Sequence, residues 1–296
     1  MLDVRRLRLL RDLAQLGTIA AVAKAHTYTP SAVSQQLAVL EREAGVPLLE
    51  RTGRRVVLTP AGVVLVRHAE TVLAALESAD AALADARGEL SGPLRIGAFP
   101  TAVRTLLPAA LVALGRDHPA LELMVAELDP VAVPEALRER RLDVALVHDY
   151  DIMPVEPDRT VDAVPLLDET VFLATRSTGS DDDPIGTTRN ADWIVGTPGT
   201  VCHAVTLQVC RAAGFSPRVR HHADDFDAVL ALVAAGQGVS LVPQLATAQA
   251  PPGVHLIPLA TRRHTKIAYR QGASSHPAIA AFVLAVQAAT ATYLAH

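Results

Sequence analysis

The chain has 296 residues, of which 50% are hydrophobic, and its formal net charge is −4. This length is enough for two domains with real cores. No apolar run is expected to be long enough to cross a bilayer, and two cysteines are too few for a disulfide framework. The first seventeen residues mix four arginines into an amphipathic pattern, which favours a folded helix over a signal peptide. Together these features predict a protein of the reducing cytoplasm.

Charge is distributed unevenly along the chain. Residues 1–67 carry ten Lys and Arg against five Asp and Glu, a net of +5. The remainder carries seventeen against twenty-six, a net of −9. A basic head on an acidic body indicates that only the head meets a polyanion.

The head is predicted to contain three helices followed by a hairpin. The first helix ends at Gly17, and Thr18 caps a second helix with the sequence IAAVAKAH. Its small residues allow the close crossing that a helix-turn-helix requires. Thr29 followed by Pro30 starts a third helix over residues 30–43. The run GVPLLERTGRRVVLTPAG then predicts two short strands around an arginine-rich turn, which is a wing.

The third helix has one apolar face and an opposite face of small hydroxyls and an amide. Val33, Leu37 and Leu40 form its buried stripe. Ser and Gln side chains hydrogen-bond base edges in a major groove, and arginines of a wing contact phosphates or a narrow minor groove. The alternative is an ordinary solvated face, but the helices and the wing together favour DNA binding. The candidate DNA-binding residues are Thr29, Pro30, Ser31, Ser34, Gln35, Arg51, Arg54 and Arg55.

At residues 20–62 the sequence AAVAKAHTYTPSAVSQQLAVLEREAGVPLLERTGRRVVLTPAG resembles the winged helix-turn-helix of the LysR-type transcriptional regulators. The resemblance implies a transcriptional regulator that binds double-stranded DNA. Many members of that family carry an arginine where Gln35 stands and a glutamine near Thr29. The base sequence read by this helix is therefore expected to differ from that of better-known members.

A long helix is predicted to connect the head to the body. Thr59-Pro60 again starts a helix, and no breaker follows Gly62 before Gly88. A heptad seam runs along it, which favours pairing with a second copy over packing against its own body. The resemblance likewise implies a linker helix that forms a dimer through residues 60–87, and a tetramer stays open. The seam residues are Leu65, Ala69, Val72, Leu76, Ala79, Leu83 and Ala86.

The body is predicted to be α/β, since strands alternate with helices. Two crossings, near residues 162 and 262, give two lobes, and this pattern resembles the LysR-type effector domain with its periplasmic-binding-protein fold. The predicted domains are a winged helix-turn-helix (1–59), a linker helix (60–88) and an effector-binding domain (89–296). Within the last, lobe I spans about 92–162 and 263–296 and lobe II about 163–262.

Two strand-to-helix junctions mark a candidate ligand site. Free backbone N–H groups and a hydroxyl at Thr101 and Thr200 can bind an anionic group, although both threonines can also be plain helix caps. The resemblance implies an effector site at these two loops. His148 or Asp149, expected to follow a strand, would meet a cationic group unless they lie in a solvated loop. The candidate effector-binding residues are Phe99, Pro100, Thr101, Ala102, His148, Thr200 and Val201.

Other chemistries are weaker. No Gly-x-Ser-x-Gly nucleophile elbow is present, so we predict no catalytic residue. The run GQGVSL precedes a strand, whereas a dinucleotide-binding glycine motif follows one, so we predict no cofactor. Adjacent residues of HHADD on a strand point to opposite faces, so we predict no metal site. Redox switching through Cys202 and Cys210 is the main alternative, because a thiol pKa tends to fall at a helix N-terminus. A solute-binding module without regulation would leave the head unexplained.

Overall fold

The computed structural model describes residues 1–52, 55–86, 90–154, 158–177 and 183–295, with the backbone alone for Arg55 and Gln249. The chain forms two compact units. The first comprises Met1–Arg87 and Arg270–His276, and the second comprises Gly88–Tyr269 and Pro277–His296. The candidate DNA-binding residues belong to the first unit, and the candidate effector-binding residues belong to the second.

The first unit is a helical head with a two-stranded hairpin and a long helix. Side chains of Asp3, Thr18, Thr29 and Thr59 cap the N-termini of its four helices. The predicted first, second and third helices and the hairpin are confirmed, because caps and periodicity are local signals. The elements are α1 (Val4–Leu16), α2 (Ile19–Ala25), α3 (Pro30–Ala44), β1 (Leu49–Thr52), β2 (Arg55–Leu58) and α4 (Pro60–Asp85).

The long helix α4 packs against the head at one end and leaves much of its apolar seam exposed. Ala69 and the neighbouring Val66 are buried in the core of the head. In contrast, Val72, Leu76 and Leu83 of the seam are exposed in the single chain. The helix ends at Asp85, before the predicted end at residue 88. This face is available to a second helix.

The second unit is built on a six-stranded mixed sheet in the order β4-β3-β5-β10-β6-β9. β3 pairs in parallel with β4 and β5, whereas β10 is antiparallel to β5 and β9 is antiparallel to β6. The strands are β3 (Gly92–Ala98), β4 (Leu121–Glu127), β5 (Val144–Tyr150), β6 (Val161–Thr175), β9 (Ser240–Pro243) and β10 (His255–Arg270).

Helices and a second small sheet complete this unit. The additional strands β7 (Asp192–Val195) and β8 (Arg218–His222) pair in parallel. Separate buried clusters pack around the two sheets. The helices are α5 (Pro100–Thr105), α6 (Leu107–Asp117), α7 (Val133–Arg138), α8 (Val201–Ala212), α9 (Phe226–Ala234) and α10 (Pro277–Leu294).

Helix α10 corrects one expectation from the sequence. Among the described residues it is long and apolar enough, by length and composition, to cross a membrane. It nevertheless buries Ala278, Phe282 and Val286 in the core cluster that covers the main sheet. A core helix of a globular protein can be equally long and apolar, because the face that it buries must be apolar.

Candidate functional site

A cavity of about 220 Å³ lies in the second unit. The first residues of α5, the N-cap of α8 and the strands β5 and β10 all contribute to its wall. Most of the wall is apolar, as is usual for ligand sites. The apolar residues include Phe99, Leu128, Val171, Val205, Phe226, Val229 and Leu241. The ionisable residues are Glu127, Asp129, His148, Tyr150, Cys202, Asp224 and Arg263.

Strand pairing brings four polar side chains to one face of the sheet. Arg263 of β10 is opposite Tyr150 of β5, and Thr265 is opposite His148. Because side chains alternate between the two faces of a strand, these four share a face. His148 packs edge-on against the rings of Phe99 and Tyr150, with centroid distances of 4.7 and 5.5 Å. The result is a buried polar cluster beside the cavity.

Arg263 is 0% exposed and forms a buried ion pair with Glu169. Its Nη2 lies 2.9 and 3.0 Å from the two carboxylate oxygens. The guanidinium carbon lies 4.9 Å from the centre of the Phe99 ring, which adds a cation–π contact. Burial is the largest single influence and acts to lower the pKa of Arg263, but the charge of Glu169, the neighbouring Tyr150 and Cys202, and the hydrogen bond to Glu169 together outweigh it and raise the pKa. Arg263 is therefore a fixed positive charge in the cavity wall.

Several polar atoms around Arg263 have no hydrogen-bond partner among the described residues. They are Nε and Nη1 of Arg263, Nδ1 of His148, and the hydroxyls of Thr101 and Thr265. Burial and the charge of Arg263 lower the pKa of His148 well below its usual value, so its ring is neutral. Each unpaired buried polar group costs about 1–3 kcal/mol. An anionic group entering the cavity would satisfy such donors.

Carboxylates occupy another part of the cavity wall. Asp129 accepts backbone N–H groups from Val131 and Val201, at 3.0 and 3.3 Å. Burial raises the pKa of Asp129, and the nearby charge of Asp224 raises it further. Asp224 in turn accepts the backbone N–H and the hydroxyl of Thr197, at 2.7 and 2.6 Å. The cavity therefore has charges of both signs.

The two cysteines do not have the activated thiols that the redox alternative assumed. Cys202 lines the cavity, with Sγ 3.8 Å from Oη of Tyr150. Burial raises the pKa of Cys202, although the charge of Arg263 opposes this. Burial also raises the pKa of Cys210 to about 12. The expected fall in pKa at the helix N-terminus is wrong, because loss of hydration disfavours the thiolate more strongly.

Five of the seven candidate effector-binding residues line the cavity. These are Phe99, Pro100, Thr101, His148 and Thr200. Ala102 and Val201 do not line it: they are buried in core clusters, because the first turns of α5 and α8 direct them inward.

The interpretation of residues 148–149 needs correction. Both lie within β5 and do not follow it. Asp149 lies outside the cavity lining and pairs with Lys266, whereas His148 lines the cavity. Sequence reasoning missed Arg263 and Glu169. The signal was an arginine at an inward position of the last long strand, which begins at His255.

The candidate DNA-binding residues form an exposed surface on the head. Thr29, Pro30, Ser31, Ser34, Gln35 and Arg51 are all exposed. Ser34 Oγ donates to the carbonyl of Pro30 at 2.9 Å, while the Gln35 amide has no hydrogen-bond partner among the described residues. Arg54 lies outside the described residues, and the Arg55 side chain does too.

Comparisons with known proteins agree over nearly the whole chain. The model for "Bacterial regulatory helix-turn-helix protein, lysR family" matches residues 4–63, and "LysR substrate binding domain" matches residues 87–291. The transcriptional dual regulator GltC of Bacillus subtilis is 30% identical over 259 residues, 85% of this chain and 84% of GltC. A probable hydrogen peroxide-inducible genes activator of Mycobacterium xenopi is 40% identical over 168 residues, 57% of this chain and 86% of its own. A solved structure, the Corynebacterium glutamicum OxyR C206 mutant, is 28% identical with a TM-score of 0.59, covering 100% of this chain and 93% of that one.

Proposed function

This chain belongs to the LysR family of bacterial DNA-binding transcriptional regulators, and from that membership we propose how its two units divide the work. Regulators of this family bind DNA, respond to small-molecule effectors and form oligomers. In our proposal the chain acts in the cytoplasm, α3 enters the major groove and the wing arginines contact the backbone. The cavity binds a small effector with an anionic group, and this binding changes how the paired heads are spaced.

The observation that supports DNA reading by α3 is the contrast between its two faces. Val33, Leu37 and Leu40 are buried in the head, so the orientation of the helix is set by packing. The opposite face presents Ser31 and Gln35 to solvent, near the N-terminus of the helix. A recognition helix contacts base edges through its N-terminal residues. Because its amide is unpaired, Gln35 can donate and accept in a bidentate contact.

We expect Gln35→Ala to relax sequence preference. Loss of one bidentate base contact costs about 1–3 kcal/mol, so the ratio of cognate to random affinity should fall about 10-fold or more. The ratio is measured by titrating the protein with duplexes from the DNA upstream of its own gene and with random competitor duplexes, at several salt concentrations.

Two controls accompany this experiment. Gln36→Ala makes the same change one residue on, where the side chain accepts from Arg6 at 2.9 Å, and should keep the ratio. Arg51→Ala should weaken binding to all duplexes and lower the salt slope by about one. Equal losses for Gln35→Ala on cognate and random duplexes would contradict base reading by this residue.

Dimer formation through residues 60–87 is supported by the exposed part of the seam. Leu76 and Leu83 are large apolar side chains of α4 that are exposed in the single chain. Burying them against a second copy removes apolar area from water. Two heads held together can then read two half-sites, which converts modest affinity into specific binding.

Redox switching is the second candidate function, because the names of several relatives include response to hydrogen peroxide. The raised pKa of Cys202 and Cys210 opposes it. We expect peroxide to leave the DNA binding of the wild-type chain unchanged, and Cys202→Ser to leave it unchanged as well. Duplex titration with and without peroxide measures this, with Cys210→Ala as the matched variant. Peroxide-dependent binding that Cys202→Ser abolishes would establish the redox function instead.

A further inference from the structure

The charges around the cavity define the class of molecule that it binds. We infer that the effector is a small zwitterion of the amino-acid type with an apolar side chain, its carboxylate at Arg263 and its ammonium at Asp129 and Asp224. This inference rests on the proposed function and goes beyond the anionic group stated there.

Arg263 and its neighbours form the part of the wall that favours a carboxylate. The ion pair with Glu169 uses Nη2, which leaves the hydrogens of Nε and Nη1 for another acceptor. The hydroxyl of Thr101 and, in its Nδ1–H tautomer, the neutral ring of His148 add unpaired donors in side chains that are at least nine-tenths buried. Buried donors without partners are rare in folded proteins, and a bound molecule that accepts from them would account for these. A carboxylate has enough lone pairs to accept from all of them.

Carboxylates elsewhere in the wall favour a cation. Of the residues that line the cavity, Glu127, Asp129 and Asp224 are acidic, and Arg263 is the one with a guanidinium. Asp129 and Asp224 lie close enough for the charge of one to affect the other. Each of their oxygens accepts one hydrogen bond and keeps a lone pair. An ammonium between them would relieve their repulsion and donate to both.

Neither a simple anion nor a simple cation satisfies both parts of the wall. An anion at Arg263 would add to the excess of negative charge that three carboxylates already create. A cation at Asp129 would leave the donors of Arg263, His148 and Thr101 unpaired. A zwitterion meets both requirements and adds no net charge to the cavity.

The size and lining of the cavity restrict the rest of the molecule. A volume of about 220 Å³ is below the usual range of about 300–1,000 Å³ for ligand sites. Phe99, Val205, Phe226 and Leu241 surround this space with apolar surface. These features fit a compact aliphatic or aromatic side chain and disfavour a second charged group.

The test compares matched molecules that differ in one charged group. Full-length protein is titrated by calorimetry with leucine, isocaproate and isoamylamine, and with phenylalanine, hydrocinnamate and phenethylamine. In at least one of the two sets, the amino acid should bind about 10-fold or more tightly than either analogue, since a charge-assisted hydrogen bond is lost in each.

A pair of variants assigns the ammonium to its site. Asp129→Asn should narrow the difference in affinity between the amino acid and its deaminated analogue about 10-fold. Asp183→Asn makes the same change at a carboxylate that accepts from Gly186 N at 2.9 Å, away from the cavity wall, and should keep the difference.

Four outcomes overturn the inference. If the deaminated acid binds as tightly as the amino acid, the cavity does not recognise the ammonium, and the proposed anionic effector still stands. Tightest binding of the amine keeps the ammonium but removes the carboxylate, and with it the anionic effector of the proposed function. If none of the six compounds binds at up to about 10 mM, the effector is not an amino-acid-type zwitterion with an apolar side chain. An unchanged preference in Asp129→Asn overturns the assigned site. DNA binding is measured separately with the duplexes described above, so none of these outcomes affects the assignment of the head.

Discussion

Glu169→Ala is expected to lower the free energy of unfolding of the second unit by about 3–5 kcal/mol, because it leaves a buried guanidinium without its counter-charge. Arg263 is 0% exposed, and its ion pair is with Glu169. The substitution also removes the acceptor of the Leu245 backbone N–H, at 3.1 Å. Chemical denaturation followed by fluorescence measures the change, since the chain has one tryptophan and Trp193 is fully buried in this unit.

Two further variants separate charge from packing. Adding Arg263→Met to Glu169→Ala should recover much of the loss, since a buried pair replaced by apolar side chains is often neutral. Asp168→Ala removes the adjacent carboxylate, which is 67% exposed and pairs with His264. It should change stability by no more than about 0.5 kcal/mol. A double variant no more stable than Glu169→Ala alone would show that lost packing is the cause.

Gly62→Ala is expected to destabilise the head by about 1–3 kcal/mol or more, the cost of overpacking. In an exposed helix interior the same change stabilises by about 1 kcal/mol. At position 62, however, a Cβ would lie 2.2 Å from the backbone oxygen of Leu48 and 3.2 Å from Cδ2 of Leu58. Because the nearest atom belongs to the backbone, the hairpin must shift. We therefore expect weaker DNA binding as well as a lower melting temperature.

Gly115→Ala in α6 is the matched control. A Cβ there meets nothing within 4 Å, so the variant should gain about 0.5–1 kcal/mol. Circular dichroism of both variants and duplex titration measure the two effects. If the melting temperatures of both variants shift in the same direction, the close approach of α4 to the hairpin does not constrain the head.

The amino-acid sequence by itself determined the helices and the hairpin of the head. Thr18, Thr29 and Thr59 cap the helices that they were expected to cap, and Gly17 ends α1 in a left-handed conformation. These features depend on hydrogen bonds within a few residues along the chain, so they can be read locally. The same density of local signals made the family recognisable before any fold was known.

Tertiary structure alone decided which side chains face the cavity. Arg263 lies beside His148 and Tyr150 because β10 runs antiparallel to β5 in one register, and a shift of one residue would turn Arg263 to the opposite face. Ala102 and Val201 follow cavity residues directly in the sequence and yet point into the core. Strand register and helix rotation are set by packing between segments more than 100 residues apart, which no local pattern contains. The elements were therefore predictable, whereas the charges that meet in the cavity were not.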